Sequence, residues 1–165
     1  MLELGIVGAK NSGKTTVVEK LVCNLEKNGV RTATVKHTSH SHRFDTPGKD
    51  SYRHREAGAT LTVIVSEEEV AVFARPDTLE WTRIQELTDN QFDIWLVEGE
   101  RRSDRAKVLV TRELADMERP LPNNIVATIG PERVDKVDKH FEPDDFRALG
   151  SFVIDTILNS GKEAQ

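Results

Sequence analysis

The chain has 165 residues, of which 37% are hydrophobic and 31% are charged, and its formal net charge is −5. This size suits one domain with a sizeable core, and the negative charge argues against a general nucleic-acid-binding protein. The single cysteine, Cys23, excludes an intramolecular disulfide and a multi-cysteine metal site. No segment approaches the ~20 consecutive apolar residues that span a bilayer, and a predicted strand stands where a signal peptide would begin. We therefore expect a cytoplasmic protein that binds neither nucleic acid nor membranes.

Strands and helices alternate along the chain. The apolar patterns predict strands over residues 3–7, 31–36, 60–66, 70–74, 93–97, 107–111 and 125–129. They predict helices over residues 14–28, 49–57, 78–89 and 144–159, with Gly29 stopping the first helix and Pro143 near the start of the last. Residues 60–74 are expected to form an antiparallel edge hairpin, although its turn of three glutamates lacks glycine. We expect a single domain over residues 1–160, followed by a frayed tail at 161–165.

The most specific motif, Gly-Ala-Lys-Asn-Ser-Gly-Lys-Thr, runs from Gly8 to Thr15 directly after the first strand. It fits G-x-x-x-x-G-K-[ST], the Walker A loop that cradles nucleotide phosphates. Its backbone amides and the following helix N-terminus form an anion site, Lys14 can reach the β- and γ-phosphates, and the Thr15 hydroxyl can ligate Mg²⁺. The nucleotide-binding residues predicted here are Gly8, Asn11, Ser12, Gly13, Lys14, Thr15 and Thr16. The alternative is a glycine-rich turn with no ligand.

The loop and the alternating elements together predict an α/β fold, a three-layer P-loop NTPase fold with a mostly parallel sheet. Such proteins need an acid at the end of a strand beside the loop strand, to orient Mg²⁺ or to polarise a water. Glu98 ends the apolar run of residues 93–97 and precedes Gly99. Glu98 is therefore predicted as a metal and catalytic residue, together with Lys14. The alternative is a surface acid at a strand end.

A third segment distinguishes among phosphate-loop families. Lys36-His37-Thr38 ends the second predicted strand, and it is followed by His40, Asp45, Pro47-Gly48-Lys49-Asp50-Ser51-Tyr52, Arg55 and Ala57-Gly58-Ala59. With the loop at residues 8–16 and Val97-Glu98-Gly99, this segment resembles the molybdopterin-guanine dinucleotide biosynthesis protein B family. The resemblance extends from about residue 4 to 112.

The resemblance implies a GTP-binding protein with weak GTPase activity, usually a homodimer. Such proteins act as accessory or adaptor proteins for the molybdopterin guanylyltransferase, which attaches GMP to molybdopterin. The product is the guanine dinucleotide cofactor of molybdenum or tungsten enzymes. The expected ligands are therefore GTP and Mg²⁺, and the expected partners are the transferase and molybdopterin or its guanine dinucleotide.

Residues 37–49 add candidates to this site. His37 lies at the strand edge where open α/β sheets bind ligands, and Lys49 stands near a helix start where it can contact phosphate. Lys49 also fits a simple solvated helix start. Asp45 is either an acid near Mg²⁺ or a loop residue. His37, His40 and His42 form either a transition-metal cluster or a loop that faces solvent or substrate.

Two rival functions follow from the remaining charged residues. Arg101, Arg102 and Arg105 replace the aromatic residue and lysine that tend to follow the glycine in the family. They form either an anion-binding loop or a solvated one, and as a lid they favour a small-molecule kinase that consumes ATP rapidly. The histidine cluster favours instead a metal-insertion GTPase that binds Ni²⁺ or Zn²⁺.

The mechanism expected for the GTP-binding hypothesis depends on position and charge. Lys14 and the loop amides neutralise phosphate charge, while Thr15 and Glu98 hold the metal. We expect the guanine base of GTP near Gly130-Pro131-Glu132. Without a recognisable arginine finger or catalytic glutamine, turnover is expected to be slow.

Overall fold

The structure, a computed structural model, describes residues 2–38, 41–88 and 90–158. In chain order its elements are β1 (Glu3–Gly8), α1 (Lys14–Lys27), β2 (Thr32–Lys36), α2 (Asp50–Glu56), β3 (Leu61–Val65), β4 (Val70–Ala74), α3 (Trp81–Leu87), β5 (Ile94–Glu98), β6 (Ala106–Val110), β7 (Ile125–Ile129), β8 (His140–Phe141) and α4 (Phe146–Phe152). A 3-10 helix, Leu114–Asp116, follows β6, and α4 continues as a π-helical segment, Val153–Leu158.

The described residues form two compact units. The first contains residues 2–38 and 90–158, and the second contains residues 41–88. The single domain expected over residues 1–160 stays a prediction, and the tail expected at residues 161–165 lies outside the described residues.

The first unit is built on a six-stranded sheet in the order β2-β5-β1-β6-β7-β8. Every pair of neighbouring strands in it is parallel. Parallel strands need both faces covered and therefore form continuous apolar runs, and β5 is buried over its whole length. The α/β class with a mostly parallel sheet is confirmed. Because the strands are parallel, the segments that follow β1, β2, β5, β6 and β7 all leave from one edge.

Both faces of this sheet are packed. On one face the buried stripe of α1, together with α4 and the π-helical segment, covers side chains of β1, β5, β6 and β7. On the other face Val7 and Leu109 pack against Leu114 and Met117 from the 3-10 helix and the residue after it. Helix α1 is thereby fixed against the sheet directly after the phosphate loop.

Helix α1 stops where the sequence predicts. Gly29 has a φ of 76°, and its N–H donates to the Glu26 carbonyl while that of Val30 donates to Leu25, both at 3.0 Å. This is the Schellman arrangement, in which a left-handed residue lets the last carbonyls of a helix find donors. Neither α1 nor any other helix in the described part of the chain combines the length and the apolar character needed to cross a bilayer.

The second unit contains the predicted hairpin, in which β3 and β4 pair antiparallel. The hairpin forms a two-stranded sheet of its own, whereas an edge of the main sheet was expected. Its strands instead pair with each other, and β3 packs against α2. The turn needs no glycine because the Ser66 hydroxyl accepts from the N–H groups of Glu68 at 3.2 Å and Glu69 at 3.0 Å.

Two predicted helix starts are wrong. The last helix begins at Phe146 because residues 142–145 form a turn, in which the Asp145 N–H donates to the Glu142 carbonyl at 3.0 Å. Pro143 occupies the second position of that turn, which its fixed φ also suits. Helix α3 begins at Trp81 for a similar reason, since the Thr78 N–H closes a turn onto Arg75 at 2.9 Å. Strand β8 is too short to give a periodic signal.

Candidate nucleotide-binding site

The predicted phosphate loop connects β1 to α1 at the carboxyl edge of the sheet. Asn11 has a φ of 61° and Gly13 a φ of 94°, both in the left-handed region that favours glycine and asparagine. The first intrahelical bond of α1 runs from the Val17 N–H to the Gly13 carbonyl at 3.0 Å. The amides of residues 14–16 therefore precede the helical ladder and belong to the set that binds anions at helix N-termini.

Gly8 is required by space. A Cβ on Gly8 would lie 2.7 Å from the Ser12 Oγ and 2.8 Å from the Val110 carbonyl oxygen. Real Cβ atoms do not approach other heavy atoms this closely, and the Val110 oxygen, as a backbone atom, cannot easily move away. The absence of a side chain at residue 8 lets the loop fold back against the end of β6.

Ser12 provides an observation that fits an anion. The residue is only 2% exposed, and its Oγ is a buried atom that finds no hydrogen-bond partner among the described residues. A buried hydroxyl without a partner costs about 1–3 kcal/mol, so such a group marks a place where a ligand can supply the bond. A phosphate in the loop would supply it.

Lys14 lies over the loop that it was predicted to serve. Its Nζ donates to the Ala9 carbonyl at 2.5 Å. Burial lowers the pKa of Lys14, the charge of Glu98 opposes that shift, and the charge of Lys36 adds to it. The ammonium thus stands inside the loop, close enough to Glu98 and Lys36 for their charges to act on it.

Thr15 and Glu98 meet across two elements. The Thr15 hydroxyl contacts both carboxylate oxygens of Glu98, at 3.1 and 3.2 Å. Glu98 is 8% exposed at the end of β5, which lies beside β1 in the sheet. A hydroxyl and a carboxylate are hard oxygen ligands of the kind that Mg²⁺ takes, so the residues present fit the predicted metal.

Lys36 contacts both Thr15 and Glu98, although it was not among the site residues predicted from the sequence. Its Nζ is 3.0 Å from Glu98 Oε1 and 3.4 Å from Thr15 Oγ1. The parallel register of β2 and β5 places Lys36 directly opposite Glu98. The signal was the shared edge: residue 36 ends one strand and residue 98 ends its neighbour.

The other predicted site residues are divided between the two units. His37 is in the first unit, where its N–H donates to the Glu98 carbonyl at 2.9 Å and its Nε2 lies 3.6 Å from a Glu100 carboxylate oxygen. Lys49 and Asp45 are in the second unit. Asp45 is buried, accepts from Ser51 at 2.8 Å and pairs with Arg55 at 3.4 Å, so its place in that unit is accounted for by protein contacts. The roles of Lys49 in phosphate binding and of Asp45 in metal binding stay predictions.

Only two of the three histidines in the predicted cluster, His37 and His42, belong to the described residues. His40 lies outside the described residues, and His42 is exposed. Among residues 2–38, 41–88 and 90–158, no three histidine, cysteine or acidic side chains converge as a metal site would require. The described residues therefore add nothing in favour of a transition-metal site.

The arginine-rich loop after Glu98 is tied to the protein. Arg101 pairs with Glu118 at 2.9 Å and donates to the Glu118 and Pro120 carbonyls. Arg105 pairs with Glu3 at 2.8 Å and with Glu100. A lid that clamps a phosphoryl group would have to break these pairs first, which disfavours the kinase hypothesis.

A cavity of about 210 Å³ adjoins the phosphate loop. It extends from Ser12 and Thr16 to the segments that follow β6 and β7, and Arg112, Pro131, Asp144 and Phe146 also line it. Pro131 belongs to the segment near which the sequence placed the base. The cavity combines apolar rings with the Asp144 carboxylate, the Arg112 guanidinium and the Lys20 ammonium.

A parallel sheet with a Walker A loop after β1 and an acid at the end of the adjacent β5 defines a P-loop α/β protein. The chain belongs to the molybdopterin guanine dinucleotide synthesis protein B (MobB) family, whose model matches residues 3–130. The resemblance expected from the sequence is thus confirmed.

Individual relatives agree with this assignment. The molybdopterin-guanine dinucleotide biosynthesis adapter protein of Haemophilus influenzae is 34% identical over 141 residues, which cover 81% of this chain and 78% of that protein. A probable adapter protein of Bacillus subtilis is 29% identical and spans 95% and 91% of the two chains. The crystal structure of Bacillus subtilis MobB superposes with a TM-score of 0.77 at 27% identity, covering 95% of this chain and 98% of that one.

The close packing around Gly8 can be tested by measuring the free energy of unfolding of a variant with a side chain at residue 8. We expect Gly8→Ala to lower the free energy of unfolding by about 1–3 kcal/mol, because the added methyl group overpacks the loop against Val110. Gly29→Ala serves as the reference for backbone strain alone, because Gly29 has a positive φ, unlike Gly8, and open space around it. Its cost of about 1–2 kcal/mol should come from the left-handed conformation and not from overpacking. Urea unfolding followed by circular dichroism measures both. A Gly8→Ala protein as stable as wild type would show that the loop does not pack as described.

Proposed function

We propose that this protein is a GTP-binding adaptor with weak GTPase activity in molybdenum or tungsten cofactor biosynthesis. It supports the conversion of molybdopterin to its guanine dinucleotide form by the guanylyltransferase. The observation that carries the proposal is the meeting of Lys14, Thr15 and Glu98 at the end of the Walker A loop in a member of the MobB family. The names of the relatives support the adaptor role.

The residues present divide the work of holding GTP and Mg²⁺. The loop amides, the Ser12 hydroxyl and the Lys14 ammonium would bind the phosphates, while Thr15 and Glu98 would hold the metal. A bound Mg²⁺ would neutralise part of the negative charge of the phosphates. The cavity beside Pro131 and Asp144 is the proposed place for the base, because it is continuous with the loop through Ser12.

The charges around the loop are consistent with slow hydrolysis. Among the described residues, Lys14 and Lys36 are the cations that act at Glu98. Lys20 and Arg112 line the adjoining cavity, whereas Arg101 and Arg105 are paired with carboxylates. An arginine that stabilises the transition state is worth about 10³–10⁵ in rate in related GTPases. A metal position at which the neighbouring cations are lysines is therefore suited to binding and handing over a nucleotide more than to rapid turnover.

Lys14→Ala tests the nucleotide site. We expect the dissociation constant for GTP with Mg²⁺ to rise about tenfold or more, because charge-assisted contacts to phosphate are among the strong hydrogen bonds of proteins. Isothermal titration calorimetry measures it, and Lys27→Ala, at the exposed far end of α1, is the control. Unchanged affinity in the Lys14 variant would remove this loop as the binding site.

The adaptor role is tested in a reconstituted reaction. Purified guanylyltransferase, molybdopterin and GTP are incubated with and without this protein, and the dinucleotide is quantified chromatographically. We expect the protein to raise dinucleotide formation and Lys14→Ala to abolish the increase. If the rate is the same with wild-type protein, with the variant and with neither, the proposed role is wrong.

The second unit supports the proposed homodimer. In the antiparallel register Val63 lies opposite Val72 and Val65 lies opposite Val70, so these side chains and Leu61 share one face of the hairpin. This hairpin face is 48–72% exposed at each of its residues, which are Leu61, Val63, Val65, Val70 and Val72. A continuous exposed apolar face of this kind marks an interaction site, and we assign it to a second copy of the chain.

A charge placed on the hairpin face tests the dimer. Val63→Lys should convert a dimer to monomers, because a lysine at the middle of an apolar interface loses its hydration without a partner. Analytical ultracentrifugation at micromolar concentration reports the mass. Leu87→Lys, at an exposed position of α3, introduces the same charge and should leave the dimer intact. A monomeric wild-type protein, or a Val63→Lys protein that stays dimeric, would contradict the assignment.

A further inference from the structure

The ammonium of Lys36 lies beside the hydrogen-bonded Thr15 hydroxyl and Glu98 carboxylate and contacts both. Its Nζ lies 3.0 Å from Glu98 Oε1 and 3.4 Å from Thr15 Oγ1, while that hydroxyl is 3.1 Å from the same carboxylate oxygen. These are the oxygen atoms that would hold the divalent ion. A lysine cation and the metal therefore compete for one set of ligands.

The strand register makes this placement a property of the fold. Lys36 and Glu98 are opposite each other at the ends of β2 and β5, and the His37 N–H continues the pairing by donating to the Glu98 carbonyl at 2.9 Å. The side chain of Glu98 is 10% exposed and that of Lys36 is 61% exposed. The carboxylate is fixed in place, whereas the lysine has solvent on its outer side into which its flexible stem can turn.

We propose that Lys36 guards the metal position: its ammonium neutralises Glu98 and excludes a divalent cation until a nucleotide brings phosphate charge to the loop. This inference rests on the proposed function, because it assumes that Thr15 and Glu98 hold the metal. It implies that the nucleotide binds before the metal or together with it, and that Lys36 causes this order.

Electrostatics gives the reason for the exclusion. A divalent ion entering between Thr15 and Glu98 would stand within about 4 Å of the ammonium, a distance at which like charges repel strongly near a protein surface. Glu98 has one negative charge, and Lys36 is paired with it. The charges of Glu98 and Lys36 both act on the Lys14 ammonium, so two cations and one anion lie close together before a nucleotide binds. The phosphate oxygens of a bound nucleotide would add several negative charges beside Glu98. Binding of the metal then becomes favourable, and Lys36 can leave Glu98 and turn toward solvent.

Removal of Lys36 tests the proposal in the nucleotide-free protein. Mn²⁺ is the probe, because the EPR signal of the free ion decreases when it binds. We expect Lys36→Met to lower the dissociation constant for Mn²⁺ about tenfold or more relative to wild type, since the competing unit charge is gone. Lys14 still faces Glu98 in this variant, so the buried carboxylate keeps a counter-charge and the fold is retained.

Three further proteins make the result specific. Lys27→Met removes the same charge at the exposed end of α1 and should bind Mn²⁺ like wild type. Lys36→Gln, a polar replacement, should gain affinity as the methionine variant does. Lys36→Met combined with Glu98→Gln should lose the gained binding. The proposal is overturned if both Lys36 variants bind Mn²⁺ no tighter than wild type, if Lys27→Met gains as much, or if the double variant keeps the gain.

A separate titration distinguishes this proposal from the proposed function. Binding of GTP to the wild-type protein, measured by calorimetry, decides whether the loop is a nucleotide site. A wild-type protein that binds no GTP, with a Lys36→Met protein that gains Mn²⁺, would refute the nucleotide-binding role and the order of binding, and would retain only the competition between Lys36 and the metal. The reverse pair of results would retain the nucleotide role and refute the guarding role.

Discussion

The contact between the Thr15 hydroxyl and the Glu98 carboxylate is the interaction on which the rest of the site depends. It joins the first turn of α1 to the end of β5, two segments far apart in sequence. The sheet makes the contact possible, because β1 and β5 are parallel neighbours and the Gly99 N–H donates to the Ile6 carbonyl at 3.1 Å. Loop, acid and both lysines then meet at one sheet edge, as the topology of open α/β sheets favours.

Much of the fold could be predicted from the sequence because its signals are local. The apolar runs predicted the strands of the main sheet apart from β8, and Gly29 marked the end of α1 through its own backbone conformation. The predictions failed where several local arrangements compete. Pro143 suits both the start of a helix and a β-turn, and the turn closed by Asp145 and Glu142 prevails. The hairpin was predicted correctly, but its separation from the main sheet depends on which strands pair, and periodicity does not contain that information.

The candidate site was predictable to the extent that a motif fixed it. Gly8, Gly13, Lys14 and Thr15 belong to one short segment with a known geometry, whereas Lys36 stands in the sequence only as part of the segment that carries the family resemblance. Its partners come from α1 and β5, so its position appears only when the strand register is known. Asp45 has Ser51 and Arg55 as partners in its own unit, and its predicted role as a metal ligand stays a prediction.

The two units divide the properties that an adaptor needs. The first contains the Walker A loop, the acid and the cavity beside it, and the second contains the exposed apolar face of the hairpin. The nucleotide binding and the self-association that we propose therefore belong to different parts of the chain. Separate variants can disturb one property and leave the other intact.

We propose that the loop after β1 encloses the phosphates of GTP, with Thr15 and Glu98 holding the metal. A crystal structure grown with a non-hydrolysable GTP analogue and Mg²⁺ measures this directly. We expect phosphate density against the amides of residues 13–16, an ion held by Thr15 and Glu98, and the Lys36 ammonium displaced from that position. Phosphates bound elsewhere, or a loop still closed by the Lys14 contact to Ala9 in the presence of the analogue, would contradict it.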